Sequence, residues 1–501
     1  MPATMTPSML PSNQRHRTRT RALRAATFVA AAWTWVCVSA LATDAHAAGL
    51  YFSDRGVRAV GRGGAFVAGA DDLGAVWSNP AGIADAGTSI LLDSTWLNFS
   101  SEFKRRTQVV DASGTVRVYE YPTVKGSTPF LPIPTIAGSY AFGKEKQYTL
   151  AGAILAPYVP IATYPATIDG QPSPSRYSLL SMDGSALVQL GGYFAWKPTP
   201  QLRLGAGLDV LVGKFASTVV FNANPADRLI GAPEDPNYDA TSQLSVGPIF
   251  APSGGLGVIY EPEEHFRVGV SGHLPFWISA PATLKVRLPT AAPFDRAKQD
   301  GEDGSVTFRL PGTIRAGVEF RQKLANEKQL RVEAAYVREF WSLHDSIDVT
   351  PKSMQLLDVT GFPTPFKVAP ISLPRNFQDS NSVRLGGEFT FKEPIYSYRT
   401  ALRAGISYET SAIPTEWVSP LTVDTNKVQI GGGAGLFIGK WRLDAAFSYI
   451  FAPDVEVDPA TAMVPRVNPV KGNPTASEAI NGGTYTIRAL TLGGGLNYKF
   501  D

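Results

Sequence analysis

Hydrophobic and polar residues alternate one by one along much of this chain. In WRLDAAFSYIF, which begins at Trp441, every second side chain is apolar, and most of those between are small or charged. The same alternation recurs in QLRLGAGLDVLVGK from Gln201 and in LRAGISYE from Leu402. A period of two residues predicts strands whose two faces meet different surroundings.

The connections between these strands alternate between short and long. Six are short, such as GKEK and KPTP, and seven are long. The fourteen predicted strands cover residues 88–104, 132–142, 147–157, 181–196, 201–217, 244–260, 265–288, 304–320, 329–341, 381–391, 399–410, 427–438, 440–451 and 484–500. An even number of antiparallel strands with this loop pattern is typical of an outer-membrane barrel. Loops of that length would be uncommon throughout a soluble domain.

The first 47 residues have the features of an export signal. Five arginines between Arg15 and Arg24 are followed by an apolar run from Ala25 to Ala42, and Ala45-His46-Ala47 fits a cleavage site. We therefore expect a cleaved signal peptide over residues 1–47. An uncleaved membrane anchor is the alternative, although the apolar run is short for a membrane span.

Removing this signal changes the charge balance. The full chain has 46 basic and 43 acidic residues, and the signal contains five of the arginines and one acid, Asp44. The mature chain is then close to neutral, so no nucleic-acid partner is implied. The single cysteine, Cys37, also lies in the signal, which leaves no thiol for a disulfide, a metal or a nucleophile.

The sequence contains no convincing catalytic or metal-binding pattern. The three histidines after the signal, His265, His273 and His344, lie far apart, without metal-ligand spacing. There is no nucleophile elbow and no phosphate-binding loop. We expect no enzyme, no metal and no cofactor. A lipid-modifying barrel enzyme is the enzymatic alternative, and it would need a nucleophile–base pair near the outer rim.

The stretch GRGGAFVAGADDLGAVWSNPAG, from Gly61 to Gly82, is rich in small residues and lacks the strand pattern. Fourteen strands enclose a lumen too wide for inward side chains to fill. We therefore expect residues 48–87 to form a hatch inside a barrel of residues 88–501. Asp71-Asp72 then lies in a hatch turn, and a calcium site is the less favoured interpretation.

The predicted inward face carries charges of both signs, which favours ion pairs with an interior structure over a single-sign ion filter. A water-filled lumen is the alternative. These inward charges are Arg203, Asp209, Arg315, Glu319, Arg331, Glu333, Arg384, Glu388, Arg403, Arg442, Asp444 and Arg488.

The same stretch, with its Asn79-Pro80-Ala81 signature, is similar to the N-terminal hatch of the FadL/TodX/OmpP1 family of outer-membrane transporters. ALVQLGGYFAWKPTPQLRLGAGLDVL, RLPGTIRAGVEF and LRAGISYETSAIP resemble later strands of that family, in the same order. The resemblance covers nearly the whole mature chain. It implies a monomeric channel in the outer membrane of a Gram-negative bacterium, which takes up long-chain fatty acids or other hydrophobic compounds passively.

In that family a kink in the third strand leaves a gap through which the ligand passes sideways into the membrane lipid. The hatch signature would fall on Asn79, Pro80 and Ala81. Pro157 and Pro160 lack backbone donors and are our candidates for the gap, although they could simply begin a loop. The last strand ends in the aromatic Phe500, which the barrel assembly machinery is expected to read.

Apolar residues in two predicted external-loop stretches, PFLPIP and HLPFWISAP, are candidates for capturing a ligand. They are Phe130, Leu131, Leu274, Phe276, Trp277 and Ile278. Packing of the loops on themselves explains any one of them equally well. Arg315, Arg384 and Arg403 are available to a fatty-acid carboxylate, but pairing with Glu319 and Glu388 also accounts for them.

Two other functions remain open at this stage, a general porin and an adhesive surface barrel. A porin needs an open lumen and normally has no N-terminal plug. The sequence does not separate fatty acids from aromatic hydrocarbons or terpenoid-like molecules as substrates, because all of them need an apolar pocket.

Overall fold

Fourteen antiparallel strands close into a barrel in this computed structural model of the protein. The structure describes residues 54–500 with the exception of 112, 129–131, 159–162, 226–233 and 392–397. The predicted signal peptide, residues 1–47, lies outside the described residues. Within the described part, no helix is both long enough and apolar enough to cross a bilayer.

The barrel strands follow one another round the wall in chain order, and the last pairs with the first, from Ser89 opposite Lys499 to Arg105 opposite Gly483. They are β1 (Ser89–Val110), β2 (Pro132–Phe142), β3 (Tyr148–Leu155), β4 (Ala186–Trp196), β5 (Leu202–Asn222), β6 (Asp239–Glu263), β7 (Phe266–His273), β8 (Thr313–Lys323), β9 (Gln329–Glu339), β10 (Ser380–Phe391), β11 (Arg399–Glu409), β12 (Lys427–Ile438), β13 (Trp441–Phe451) and β14 (Gly483–Lys499). The prediction of an all-β, 14-stranded antiparallel barrel is confirmed.

The alternation of the sequence separates the two faces of this wall. On β13, Phe447 and Phe451 are exposed on the outside, whereas Arg442 and Asp444 are buried on the inside. An apolar outer face suits hydrocarbon, where every backbone polar group must be paired and the sheet must therefore close.

Two of the predicted strands, 265–288 and 304–320, are each interrupted. β7 ends at His273, and a separate strand, Phe276–Arg287, begins after Pro275; Pro311 likewise separates Asp303–Leu310 from β8. Proline has no N–H to donate to a ladder, which explains both interruptions. The separate strand Phe276–Arg287 pairs with Asp303–Leu310 on the long-loop side of the barrel.

This arrangement corrects the prediction that the stretch HLPFWISAP is an external loop. Most of it is strand, and its side chains alternate in exposure. Phe276 and Ile278 are buried, whereas Leu274 and Trp277 are exposed. Phe130 and Leu131 lie outside the described residues.

The long connections carry smaller elements. The strands are Val116–Ser127, Thr167–Ile168, Gln171–Pro172, Phe276–Arg287, Lys298–Asp300, Asp303–Leu310, Ser346–Pro351, Gln355–Leu357, Phe366–Lys367, Ile371–Pro374 and Val455–Val457. The 3-10 helices are Pro236–Tyr238, Ala292–Phe294, Trp341–Leu343 and Thr415–Trp417.

The N-terminal segment, residues 54–87, contains helices α1 (Val57–Gly61) and α2 (Ala75–Ser78) and the 3-10 helix Pro80–Asp85. Helix α1 has no side-chain cap of its own. Instead, its Val57 N–H donates to the Asp93 carboxylate of β1 at 2.7 Å. These helices are too short to be stable alone, so contact with the wall holds them.

Candidate functional site

Ion pairs join the N-terminal segment to strands on many sides of the wall. Arg58 makes a bidentate contact with Glu388 of β10, at 2.8 and 2.9 Å. Because both side chains are buried, each needs the other to offset the cost of leaving water. Further pairs are Asp54–Arg384, Arg62–Glu319, Asp71–Arg331, Asp72–Arg442, Asp85–Arg203 and Asp85–Arg267. The prediction that the inward charges pair with an interior structure is confirmed for Arg203, Glu319, Arg331, Arg384, Glu388 and Arg442. It was wrong for Arg488, which is exposed on the same face of its strand as Leu492.

Glu333 of β9 holds the backbone of the segment directly. Its Oε1 accepts hydrogen bonds from the N–H groups of Val67 and Ala68, at 2.6 and 2.9 Å. Its Oε2 accepts from the N–H of Gly69 at 3.0 Å and from the Arg62 guanidinium at 3.1 Å. One wall carboxylate thus satisfies three successive backbone donors in a buried place, where unpaired donors would be costly.

Asp71 and Asp72 are engaged by arginines. Burial acts to raise the pKa of Asp71, but the guanidinium groups of Arg331 and Arg58 hold that pKa well below its usual range. Asp72 accepts from Arg442 at 2.6 Å and from the N–H of Gly74 at 2.9 Å. Within the described part of the chain, no group of three or more histidines, cysteines or acids is placed to hold a metal.

Glycines on the inward face make room for the backbone of the segment. A Cβ at Gly405 of β11 would lie 2.1 Å from the carbonyl oxygen of Arg62, and one at Gly386 of β10 would lie 2.0 Å from the same atom. A Cβ at Gly257 of β6 would lie 2.1 Å from Oδ1 of Asn79. Their inward positions in the period-two pattern were the available sequence signal for this contact surface.

The predicted signature residues lie at one of these contacts. Asn79 caps the 3-10 helix, since its Oδ1 accepts from the N–H of Ala81 at 3.1 Å, and Pro80 occupies the first helical position. Nδ2 of Asn79 donates to the carbonyls of Val67 at 3.1 Å and Val258 of β6 at 3.2 Å. These residues fasten the end of the segment to the wall; their part in gating stays a prediction.

A cavity of about 130 Å³ lies between the N-terminal segment, the wall and the loops. Among its apolar lining residues are Leu97, Phe99, Ile133, Trp341, Phe377 and Ile413. None of the four predicted capture residues that the structure describes, Leu274, Phe276, Trp277 and Ile278, is among those lining it. Sequence reasoning missed this site because its walls come from strands and loops far apart in the chain.

The third strand of the wall is short. The ladders of β3 end at Leu155, which pairs with Thr135 of β2 and Gln189 of β4. Among the described residues, the start of β2 therefore has no partner on its β3 side, and Pro132 and Pro134 have no N–H to offer there. Ile133, between these prolines, lines the cavity, which thus reaches the interruption in the wall.

The chain beyond β3 is tied to the N-terminal segment. The buried Pro157 follows β3, and its carbonyl accepts a hydrogen bond from the guanidinium of Arg55. Pro160, the other predicted gap residue, lies outside the described residues. The contact links the segment to the place where the wall ladder stops.

Comparison with known proteins agrees with this geometry. A family described as outer membrane protein transport proteins (OMPP1/FadL/TodX) matches residues 38–500. A Pseudomonas aeruginosa FadL homologue superposes with a TM-score of 0.65 at 15% identity, covering 91% of this chain and 100% of its own. The search of curated protein sequences found no match.

Two toluene transporters have similar folds. TbuX from Ralstonia pickettii gives a TM-score of 0.54 at 17% identity, covering 90% of this chain and 99% of its own. TodX from P. putida gives 0.58 at 15% identity, covering 89% and 99%. At these identities the likeness concerns the fold.

Proposed function

Because this chain belongs to the OMPP1/FadL/TodX family of outer-membrane transport proteins, we propose that it carries long-chain fatty acids or other hydrophobic compounds to a lateral exit at β3. Members of the family are Gram-negative outer-membrane barrels and passive, monomeric channels for hydrophobic compounds. The chain is accordingly an outer-membrane channel and not an enzyme. The class of substrate and the exit route are the proposed parts.

The observation that carries the proposal is the position of the cavity, part of whose lining is apolar. The N-terminal segment bounds it through Val60, and Ile133 brings it to the start of β2, which among the described residues has no partner on its β3 side. A hydrophobic ligand gains by moving from such a cavity straight into lipid, whereas a polar lumen offers it nothing. The sideways route therefore follows the gradient of solvation free energy.

We propose that residues 48–87 act as a hatch and that Asn79, Pro80 and Ala81 take part in its opening. Support comes from the contacts of Asn79 with β6 and from the hydrogen bond between Arg55 and Pro157. Movement of the segment would release the chain beyond β3. The gap region, including Pro157 and Pro160, would then widen.

Of the described apolar residues predicted to capture ligand, Phe276 contacts the chain that follows β3. Its ring packs edge-on against Tyr158 at 6.3 Å, next to Pro157. Leu274 and Trp277 are exposed and Ile278 is buried, so their contact with a ligand remains a prediction. Outer-membrane lipid and the barrel assembly machinery remain the expected partners.

The test is uptake of a labelled long-chain fatty acid and of labelled toluene by Gram-negative cells that lack their own transporter. Expression of this chain should raise the uptake of at least one compound. Asn79→Ala and Pro80→Ala should lower that uptake, because they remove the cap and the turn. Asn98→Ala, at an exposed position of β1, is the matched control and should have no effect.

Deletion of residues 48–86 separates this function from that of a porin. A hatched transporter should begin to leak small hydrophilic solutes, whereas a porin should change little. Failure of every hydrophobic compound to enter, with the barrel shown to be folded in the outer membrane, would contradict the proposal.

A further inference from the structure

The cavity beside the N-terminal segment has an acidic lining, which bears on the chemistry of its ligand. Among the described residues that line it, acids outnumber cations. The acids are Asp54, Glu339, Glu409 and Asp424, and the cations are Arg55 and Lys427. Arg384 lies behind this lining and pairs with Asp54 and Glu409, so an anionic ligand would meet acids together with cations that are already paired.

Both cations are already engaged by acceptors of the protein. Nζ of Lys427 lies 2.7 Å from carboxylate oxygens of Glu409 and of Asp424. The guanidinium of Arg55 donates to its neighbour's carbonyl, that of Asp54, at 2.7 Å, and to the carbonyl of Pro157. A ligand carboxylate would have to displace these contacts to gain a cation.

Glu339 differs from the other acids of the lining. Its side chain lies at the end of β9, and the residue is only 3% exposed. Oε2 accepts a hydrogen bond from Nε1 of Trp341 at 2.8 Å, while Oε1 has no hydrogen-bond partner among the described residues. A buried carboxylate oxygen without a donor is unfavourable, so it provides an acceptor for a ligand.

We propose that the ligand of this cavity is an apolar molecule that ends in a hydroxyl group, an alcohol or a phenol. The hydroxyl donates to Oε1 of Glu339, and the apolar part packs against Leu97, Phe99 and Trp341. A neutral donor satisfies the buried oxygen without the desolvation cost of a second ion. This inference rests on the proposed function and narrows its substrates away from carboxylates.

The test compares three ligands with the same apolar part: 4-butylphenol, butylbenzene and 4-butylbenzoate. Binding to the purified full-length protein is measured by equilibrium dialysis at pH 8, against a chamber that holds detergent alone. 4-Butylphenol should bind about ten-fold more tightly than butylbenzene, as for a hydrogen bond to a charged group. 4-Butylbenzoate should bind most weakly.

Glu339→Gln should abolish the preference for the phenol and leave butylbenzene binding unchanged, which also shows that the cavity has formed. Glu120→Gln, at an exposed ion pair with Lys104, is the matched control and should change none of the three. The inference would be overturned if 4-butylbenzoate bound as tightly as 4-butylphenol, or if the preference for 4-butylphenol over butylbenzene survived Glu339→Gln. Neither result would affect the proposed function. If none of the three ligands binds the wild-type protein, the inference is overturned, and the uptake assay decides the proposed function separately.

Discussion

Glu333 is the residue at which one substitution should loosen the N-terminal segment from the wall. Its carboxylate accepts from the N–H groups of Val67, Ala68 and Gly69 and from Arg62. Glu333→Gln preserves the size of the side chain and one acceptor oxygen. The other oxygen becomes an NH₂ group, which donates and cannot accept.

The size of the effect follows from the two contacts at Oε2. The amide oxygen can keep the bonds from Val67 and Ala68, whereas Gly69 loses its acceptor and Arg62 keeps its other one, Glu319, at 3.0 Å. A buried donor left unpaired costs about 1–3 kcal/mol. The free energy that opposes local opening of the segment should therefore fall by about 1–3 kcal/mol, which is about five-fold or more in the opening equilibrium.

Hydrogen–deuterium exchange of the detergent-solubilised protein measures this equilibrium at the amides concerned. Exchange over residues 67–69 should become about five-fold faster or more in Glu333→Gln. The control is Glu264→Gln, which removes an exposed ion pair with Lys323 of the kind that contributes little. If exchange at residues 67–69 stays at the wild-type rate, this carboxylate does not hold the segment and the reasoning is refuted.

Two further perturbations test other parts of the molecule. Gly405→Ala places a Cβ 2.1 Å from the carbonyl oxygen of Arg62, so it should increase leakage of hydrophilic solutes or reduce the yield of folded barrel. Gly192→Ala is the control and should behave as wild type, because a Cβ there meets nothing within 4 Å. Burial lowers the pKa of His344 to about 4, so the folded loops hold this side chain in its neutral form. The resulting stability is fully present above pH 6.5, and about 3 kcal/mol of it should be lost as pH falls from 6.5 to 4. Thermal unfolding of the loops across that range should show the loss in wild type and in the exposed-site control His265→Gln but not in His344→Gln.

The barrel was predictable because its signal is local. Period-two alternation and the lengths of the connections located all fourteen wall strands, and β12 has the predicted bounds, 427–438. The errors fall at Pro275 and Pro311, where the alternation continues past the end of the wall. Pattern alone does not separate a strand facing lipid from one in a loop sheet, because both bury one face.

The candidate site was predictable only in part. Inward charges such as Glu333 and Glu388 were identified from strand parity, and their pairing with an interior structure followed from their mixed signs. Their individual partners could not be predicted, since Arg58 and Glu388, for example, are 330 positions apart in the sequence. The lack of a hydrogen-bond partner at Oε1 of Glu339, among the described residues, depends on the path of a loop around Trp341. No local sequence pattern specifies that path.

The contacts of the N-terminal segment also constrain the order in which the protein is assembled. The segment is made first, yet its partners lie on strands as late as β13, so most of its charges must wait in water until those strands arrive. A barrel that closed without it would trap unpaired carboxylates and guanidinium groups in the lumen. Once β1 and β14 have joined, the closed ring of strands offers a folded segment no entry through the seam. We therefore expect the seam between β1 and β14 to close last, around a segment that is already inside.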